Sequence, residues 1–205
     1  MQLLLARFSN LIKLHLIVLG LLTAYFPLNA IAARMPNVTE TSNSPNTNLT
    51  TWEIHGALAA KNKSKGWSAS LNWLQFGPNT YQIRLMGPLG SGSVLISKKD
   101  NLISFKDGRT ITTSNNAEDL LLKQTGIRLP VKNLYYWVRG LAAPGSVQAK
   151  ILDKTRHLQR LQQNGYTIDF LQYNNIMGFL LPTIIRLEGN GLLVKVNINR
   201  WTLRA

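Results

Sequence analysis

Asn115–Leu141, NNAEDLLLKQTGIRLPVKNLYYWVRGL, decides how this chain must fold, because it alone has helical period in a sequence otherwise built of alternating apolar residues and turns. Asn115 or Asn116 can cap a helix N-terminus, Glu118 and Asp119 oppose the helix dipole in the first turn, and Gly126 is a stop signal after Lys123. Pro130 starts or precedes a second short helix. There Leu134, Trp137, Val138 and Leu141 recur at three- and four-residue spacing and make one apolar face. That face is expected to point inward, with Lys123, Arg128, Lys132 and Arg139 lying mostly outside. Two helices set between blocks of strands need a sheet to cover.

Both flanks supply strands. Trp52, Ile54, Gly56, Leu58 and Ala60 alternate on one face, Lys61–Gly66 is a polar hairpin turn, and Trp67, Ala69, Leu71 and Trp73 form the next inward row, with Leu74 and Phe76 opposite. Further segments follow at eight- to twelve-residue spacing: Tyr81, Ile83 and Leu85; Val94 and Ile96; Ile103 and Phe105; and, after the Asp107-Gly108 hairpin signal, Thr110–Thr113. Beyond the helices come Val147–Leu152, His157–Gln163, a strand from Tyr166 through Phe170, another around Ile184–Leu187, and Leu193–Ile198, with Trp201 closing the chain. Ten or eleven antiparallel strands exceed what a flat sheet holds without curling. The expected fold is therefore mainly β with α: an incomplete antiparallel barrel of about eleven strands, roomy enough for a small apolar ligand, with the helices as its lid.

Residues 1–32 have the features of a secretory signal: Arg7 and Lys13, an apolar run from Leu14 to Phe26, and a small-residue cut site after Ala32. The apolar run is shorter than the roughly 20 residues that span a bilayer. Residues 33–50 are polar and Pro-containing, and are expected to be a flexible leader, which leaves 51–205 as a single domain. The sequence carries 23 Lys and Arg against 9 Asp and Glu. Cutting after Ala32 would remove two of the basic residues and leave a formal charge of +12, an excess suited to anionic partners. In an exported protein these are lipid surfaces rather than nucleic acid. The 205 residues contain no cysteine, which excludes disulfides, thiolate chemistry and thiol lipidation within them.

Several ordered features resemble the LolB family of outer-membrane lipoprotein receptors, from about Trp52 to Trp201. They are the Trp73 strand; Tyr81 leading into Pro88-Leu89-Gly90-Ser91; Ala117-Glu118, Thr125-Gly126, Pro130, Leu134, Trp137 and Gly140-Leu141; then Asn164-Gly165-Tyr166, Phe170, Tyr173, Pro182 and Lys195. The resemblance implies an unclosed eleven-stranded half-barrel whose helical lid encloses a cavity for lipoprotein acyl chains. It also implies receipt of lipoproteins from a LolA-like periplasmic carrier and their insertion into the inner leaflet of the outer membrane, by a monomer at that membrane's periplasmic face or in the periplasm. LolB proteins carry a lipidated cysteine at the end of the signal, where this sequence has Ala30-Ile31-Ala32-Ala33.

On this reading the acyl-chain cavity is lined by Trp73, Tyr81, Leu134, Trp137, Tyr166, Phe170 and Trp201, with Trp67 and Tyr173 on the same concave side. Pro88, Leu89 and Gly90 form a membrane-insertion loop, with Leu89 facing water as the third residue of a turn. Buried aromatics most often only fill a core, so cavity lining rests on the resemblance. No catalytic residue, metal site or cofactor is expected: His55 and His157 have no ligand-spaced partner, helix-start electrostatics accounts for Glu118 and Asp119, and phosphate loops and nucleophile elbows are absent. An envelope lipid hydrolase and a basic cell-surface adhesion protein are the alternative functions.

Overall fold

Eleven antiparallel strands form one sheet in the computed structural model, which describes residues 44–90 and 92–204. The expected signal and the leader up to residue 43 lie outside the described residues. The strands are β1 (Thr51–Lys61), β2 (Gly66–Phe76), β3 (Thr80–Met86), β4 (Ser93–Lys99), β5 (Leu102–Asp107), β6 (Thr110–Ser114), β7 (Val147–Leu152), β8 (Leu158–Gln163), β9 (Tyr166–Ile176), β10 (Phe179–Gly189) and β11 (Leu192–Leu203). Their order, β6-β5-β4-β3-β2-β1-β11-β10-β9-β8-β7, is two meanders joined where β1 pairs with β11. The edges β6 and β7 do not pair, so the barrel stays open, as the strand count predicts. The helices α1 (Ala117–Thr125) and α2 (Val131–Trp137) belong to the connection between those two edges.

The helix signals work as expected. The Asn116 side chain accepts the Glu118 and Asp119 amides at 3.0 and 3.2 Å, and Gly126, in a left-handed conformation, donates to Leu122 O at 2.8 Å. The second helix is shorter than its apolar spacing suggests. Regular helix ends at Trp137, and a tightened turn follows in which Gly140, at φ 73, donates to Trp137 O and Leu141 donates to Tyr136 O. This turn carries Leu141 back toward the core, so Leu134, Trp137, Val138 and Leu141 are all buried even though they do not share one helix.

Two β-bulges adjust which side chains face inward. Between β1 and β11 the register slips at His55/Gly56, and Asn199 is passed over. Ile198 and Trp201, three residues apart, therefore both face the core. Gly56 permits this because a Cβ there would lie 1.9 Å from Asn197 O. In β10 the irregularity at Pro182–Ile185 accommodates a proline without an amide donor and buries Leu181, Pro182 and Thr183 in succession.

Two expectations are corrected. The polar leader was expected to be unpacked through residue 50, yet Pro45–Asn48 forms a 3-10 turn, and Asn46 and Leu49 are buried. Arg139, expected on the outside, is only 2% exposed. The two findings have one cause. Arg139 donates through Nε to Tyr135 O (3.0 Å) and through Nη1 to Asn46 O (3.2 Å) and Leu49 O (2.7 Å), while its own carbonyl accepts from Asn46 Nδ2 at 2.8 Å. Its guanidinium also lies 4.0 Å from the Tyr135 ring centroid. Burial pulls its pKa below the ordinary guanidinium value, and the carbonyls and ring faces replace its hydration. A polar segment can thus join the core because a buried cation needs its carbonyls.

Gly56→Ala should lower stability by about 3 kcal/mol, seen as a lower urea midpoint followed by tryptophan fluorescence; an unchanged midpoint would show that the bulge tolerates a side chain. Arg139→Met keeps the length but leaves three carbonyls without their donor. It should cost about 2–4 kcal/mol in the same titration and expose residues 44–50 to limited proteolysis before the sheet unfolds.

Candidate functional site

The inner face of the sheet carries a continuous aromatic row. Tyr81 on β3 meets Trp73 on β2 (ring centroids 6.5 Å), Trp73 meets Trp52 on β1 (5.1 Å), and Trp52 meets Trp201 on β11 (5.4 Å). Tyr135 of α2 stacks over Trp52 at 6.4 Å. A second group forms where Trp137 of α2 meets Tyr166 of β9 edge-on at 5.7 Å. Trp73, Tyr81, Leu134, Trp137, Tyr166, Phe170 and Trp201 are all buried in one core cluster. Phe170 stands apart from both ring groups, with Tyr173 as its ring neighbour at 6.1 Å. Trp67 and Tyr173 are only partly buried at its border.

Two buried glutamines, one in each ring group, hold these side chains in place, and neither was singled out from the sequence. Gln75 Oε1 accepts the Trp73 indole N–H at 2.8 Å, and its amide reaches the carbonyl of Gly77. Gln163 Oε1 accepts from Trp137 Nε1 (3.1 Å) and from the Ala143 amide (2.8 Å), while its Nε2 donates to Ala143 O (2.6 Å). Trp201 Nε1 donates to Pro182 O at 3.0 Å. Strand alternation could have identified both: Gln75 follows Trp73 at period two, and Gln163 follows Leu161. The aromatic positions Trp52 and Tyr135 also belong to the site although sequence reasoning assigned them only to a strand and a helix. Among the described residues, the buried polar atoms Trp52 Nε1, Trp67 Nε1 and Thr183 Oγ1 have no hydrogen-bond partner in this conformation.

The electrostatics of this interior favour neutrality. Burial, reinforced by the nearby Glu118 charge, pushes the Tyr81 phenol up to about 12, so it is uncharged at neutral pH. Glu118 is itself raised by burial, against the opposing pull of Arg128 and Lys132. Tyr173 is raised by burial and donates to Leu158 O at 2.7 Å. At the middle of the lid Asn62 Nδ2 donates to Gly126 O at 2.9 Å, beside the buried side chains of Ile127 and Leu129.

Away from this interior, the β3–β4 loop is closed by Gly87 N–H donating to Gly92 O at 3.1 Å. Pro88–Gly90 makes a single turn at its tip. Leu89 occupies a left-handed conformation there, at φ 53, and its relative exposure is 109%. The expectation that it faces water is met, in a backbone region that costs a non-glycine residue about 1–2 kcal/mol.

A family model described as "Outer membrane lipoprotein LolB" matches residues 50–201. A Coxiella burnetii protein named outer-membrane lipoprotein LolB is 36% identical over 154 residues, covering 75% of this chain and 72% of the relative. A Pseudomonas fluorescens protein of the same name is 37% identical over 161 residues, covering 77% of each. Among solved structures, a DUF1329 family protein from Desulfovibrio piger superposes with a TM-score of 0.50 over 78% of this chain and 88% of that one at 9% identity, a likeness of fold alone. With the family model spanning most of the sequence, the chain belongs to the outer-membrane lipoprotein LolB family.

Proposed function

We propose that the chain binds lipoprotein acyl chains between the lid helices and the inner aromatic face, receives them from a LolA-like periplasmic carrier, and inserts them into the inner leaflet of the outer membrane as a monomer. As a LolB family member it is an exported lipoprotein localisation factor of the outer membrane. The observation that carries the finer reading is the aromatic row Tyr81–Trp73–Trp52–Trp201 lying under α2, whose Tyr135 stacks on Trp52. An acyl chain of some fifteen methylenes gives up on the order of 12 kcal/mol when it leaves a membrane for water. A carrier surface must replace most of that, and a wall of buried aromatics is chemically suited to it. The rings touch one another and α2 in this conformation, so entry of a chain requires the lid to move, with the Gly126–Pro130 link as its hinge. The unpartnered indole N–H groups of Trp52 and Trp67 are donors of the kind an ester or amide carbonyl at the head of the chain would satisfy. Transfer of this kind breaks no covalent bond.

Leu89 is the delivery element in this reading. Its left-handed backbone holds an apolar side chain entirely in water, a position with a purpose if the side chain enters a bilayer, where burial is worth about 1.5–3 kcal/mol. Leu89→Glu should leave stability and lipoprotein uptake unchanged while slowing delivery into outer-membrane vesicles by tenfold or so; delivery at the normal rate would remove the loop from the mechanism. Mass spectrometry of lipid carried by the purified protein checks the chemistry: intact acylated cargo is expected, and free fatty acid released from it would favour a hydrolase.

A further inference from the structure

The hairpin turn between β1 and β2 takes no part in the core or in the aromatic row. Lys61, Lys63 and Lys65 are exposed on it, and among the described residues none is paired with a carboxylate. Asn62 gives the turn a definite shape: its N–H donates to Lys65 O (2.8 Å), and its Oδ1 accepts the amides of Ser64 (2.9 Å) and Lys65 (2.7 Å). Because β2 lies between β1 and β3, this turn and the Leu89 loop leave the same end of the sheet from neighbouring hairpins. Arg109, in the β5–β6 turn, is at that end as well. Of the acidic groups there, Asp107 is exposed and Glu188 is already held by Arg186 at 2.7 Å.

The same turn is attached to the lid. Besides the Asn62 bond to Gly126 O, the Lys65 side chain lies over Gly126, close enough that a Cβ there would come within 2.8 Å of Lys65 Cδ. Gly126 caps α1 and begins the link to α2. We propose that the Lys61–Lys65 turn is a contact for the anionic headgroups of a lipid surface, and that headgroup binding draws Lys65 off Gly126 and loosens the lid where cargo leaves. The proposal rests on the acyl-transfer reading and adds the signal for release. A membrane is favoured over an acidic protein because a fully exposed leucine shares this end, and an apolar tip flanked by unpaired cations suits the boundary between headgroups and acyl chains.

The test compares the full chain with a Lys61→Gln, Lys63→Gln, Lys65→Gln triple variant in flotation with phosphatidylcholine vesicles, with and without phosphatidylglycerol. The triple variant should lose on the order of a hundredfold in partition onto anionic vesicles at low salt, with no change on neutral ones. Amide exchange across Ala117–Thr125 should speed up several-fold when the wild type binds anionic vesicles, and not in the variant. Equal partition of the two proteins overturns the lipid contact, and unaltered exchange in the bound wild type overturns its coupling to the lid. Lysine-dependent binding to polyglutamate without binding to anionic vesicles assigns the turn to an acidic protein and also overturns the proposal. Loading of a fluorescent diacyl lipopeptide in solution reads the acyl-transfer function separately. A wild type that fails to load sinks that function, whereas normal loading with equal vesicle partition sinks only the headgroup contact.

Discussion

A sheet whose edge strands never meet has to cover the apolar side it curls around, and here the segment between those two edges does the covering. β6 ends at one margin, β7 begins at the other, and the chain travels between them as α1, a short link and α2. The lid is therefore covalently tied at both ends to the margins of the opening, while its middle rests on the sheet through buried apolar side chains and the Asn62 bond to Gly126 O. A cover built this way can shift without leaving. In a closed barrel the same apolar residues would seal against opposing strands, with no hinge between them.

The packing beneath the lid combines adaptability with fixed points. Ring-to-ring contacts tolerate sliding, whereas the indole N–H groups of Trp73, Trp137 and Trp201 are each directed at one acceptor. Gln163 bonds both Trp137 and Ala143, so it ties the end of α2 to β8 and fixes the lid on that side. Arg139 does the same for the entering chain, since its bonds to Asn46 and Leu49 bring the start of the domain against the end of α2. The lid is thus held by buried polar bonds at its C-terminal end, and around Gly126 by the buried side chains of Leu121, Ile127 and Leu129 together with the Asn62 bond.

Much of this architecture was legible in the sequence because it depends on local rules. Period-two alternation identified the strands, and Asn116, Gly126 and Pro130 punctuated the helices, because caps and turns are decided by neighbouring residues. What escaped detection depends on distant partners. Arg139 has the residue type of a surface cation, and two of the three carbonyls that accept from its guanidinium belong to residues some ninety positions earlier. Asn46 and Leu49 looked like part of a polar leader for the same reason. The bulge at Gly56 is likewise a property of two strands together, visible only once Asn197 is known to lie opposite. The aromatic site was readable as a set of residue types, and its division into a four-ring row and a separate Trp137–Tyr166 pair was not.

In the proposed function, acyl chains occupy the inner face of the sheet beneath the lid. Its most direct test is photo-crosslinking with a benzophenone amino acid placed at Tyr166, on the inner face, or at Leu171, exposed on the same strand, in the presence of a radiolabelled-acyl lipoprotein. Crosslinks from position 166 and none from 171 are the predicted result. Crosslinks from 171 with none from 166 would contradict it and place the cargo on the outer surface.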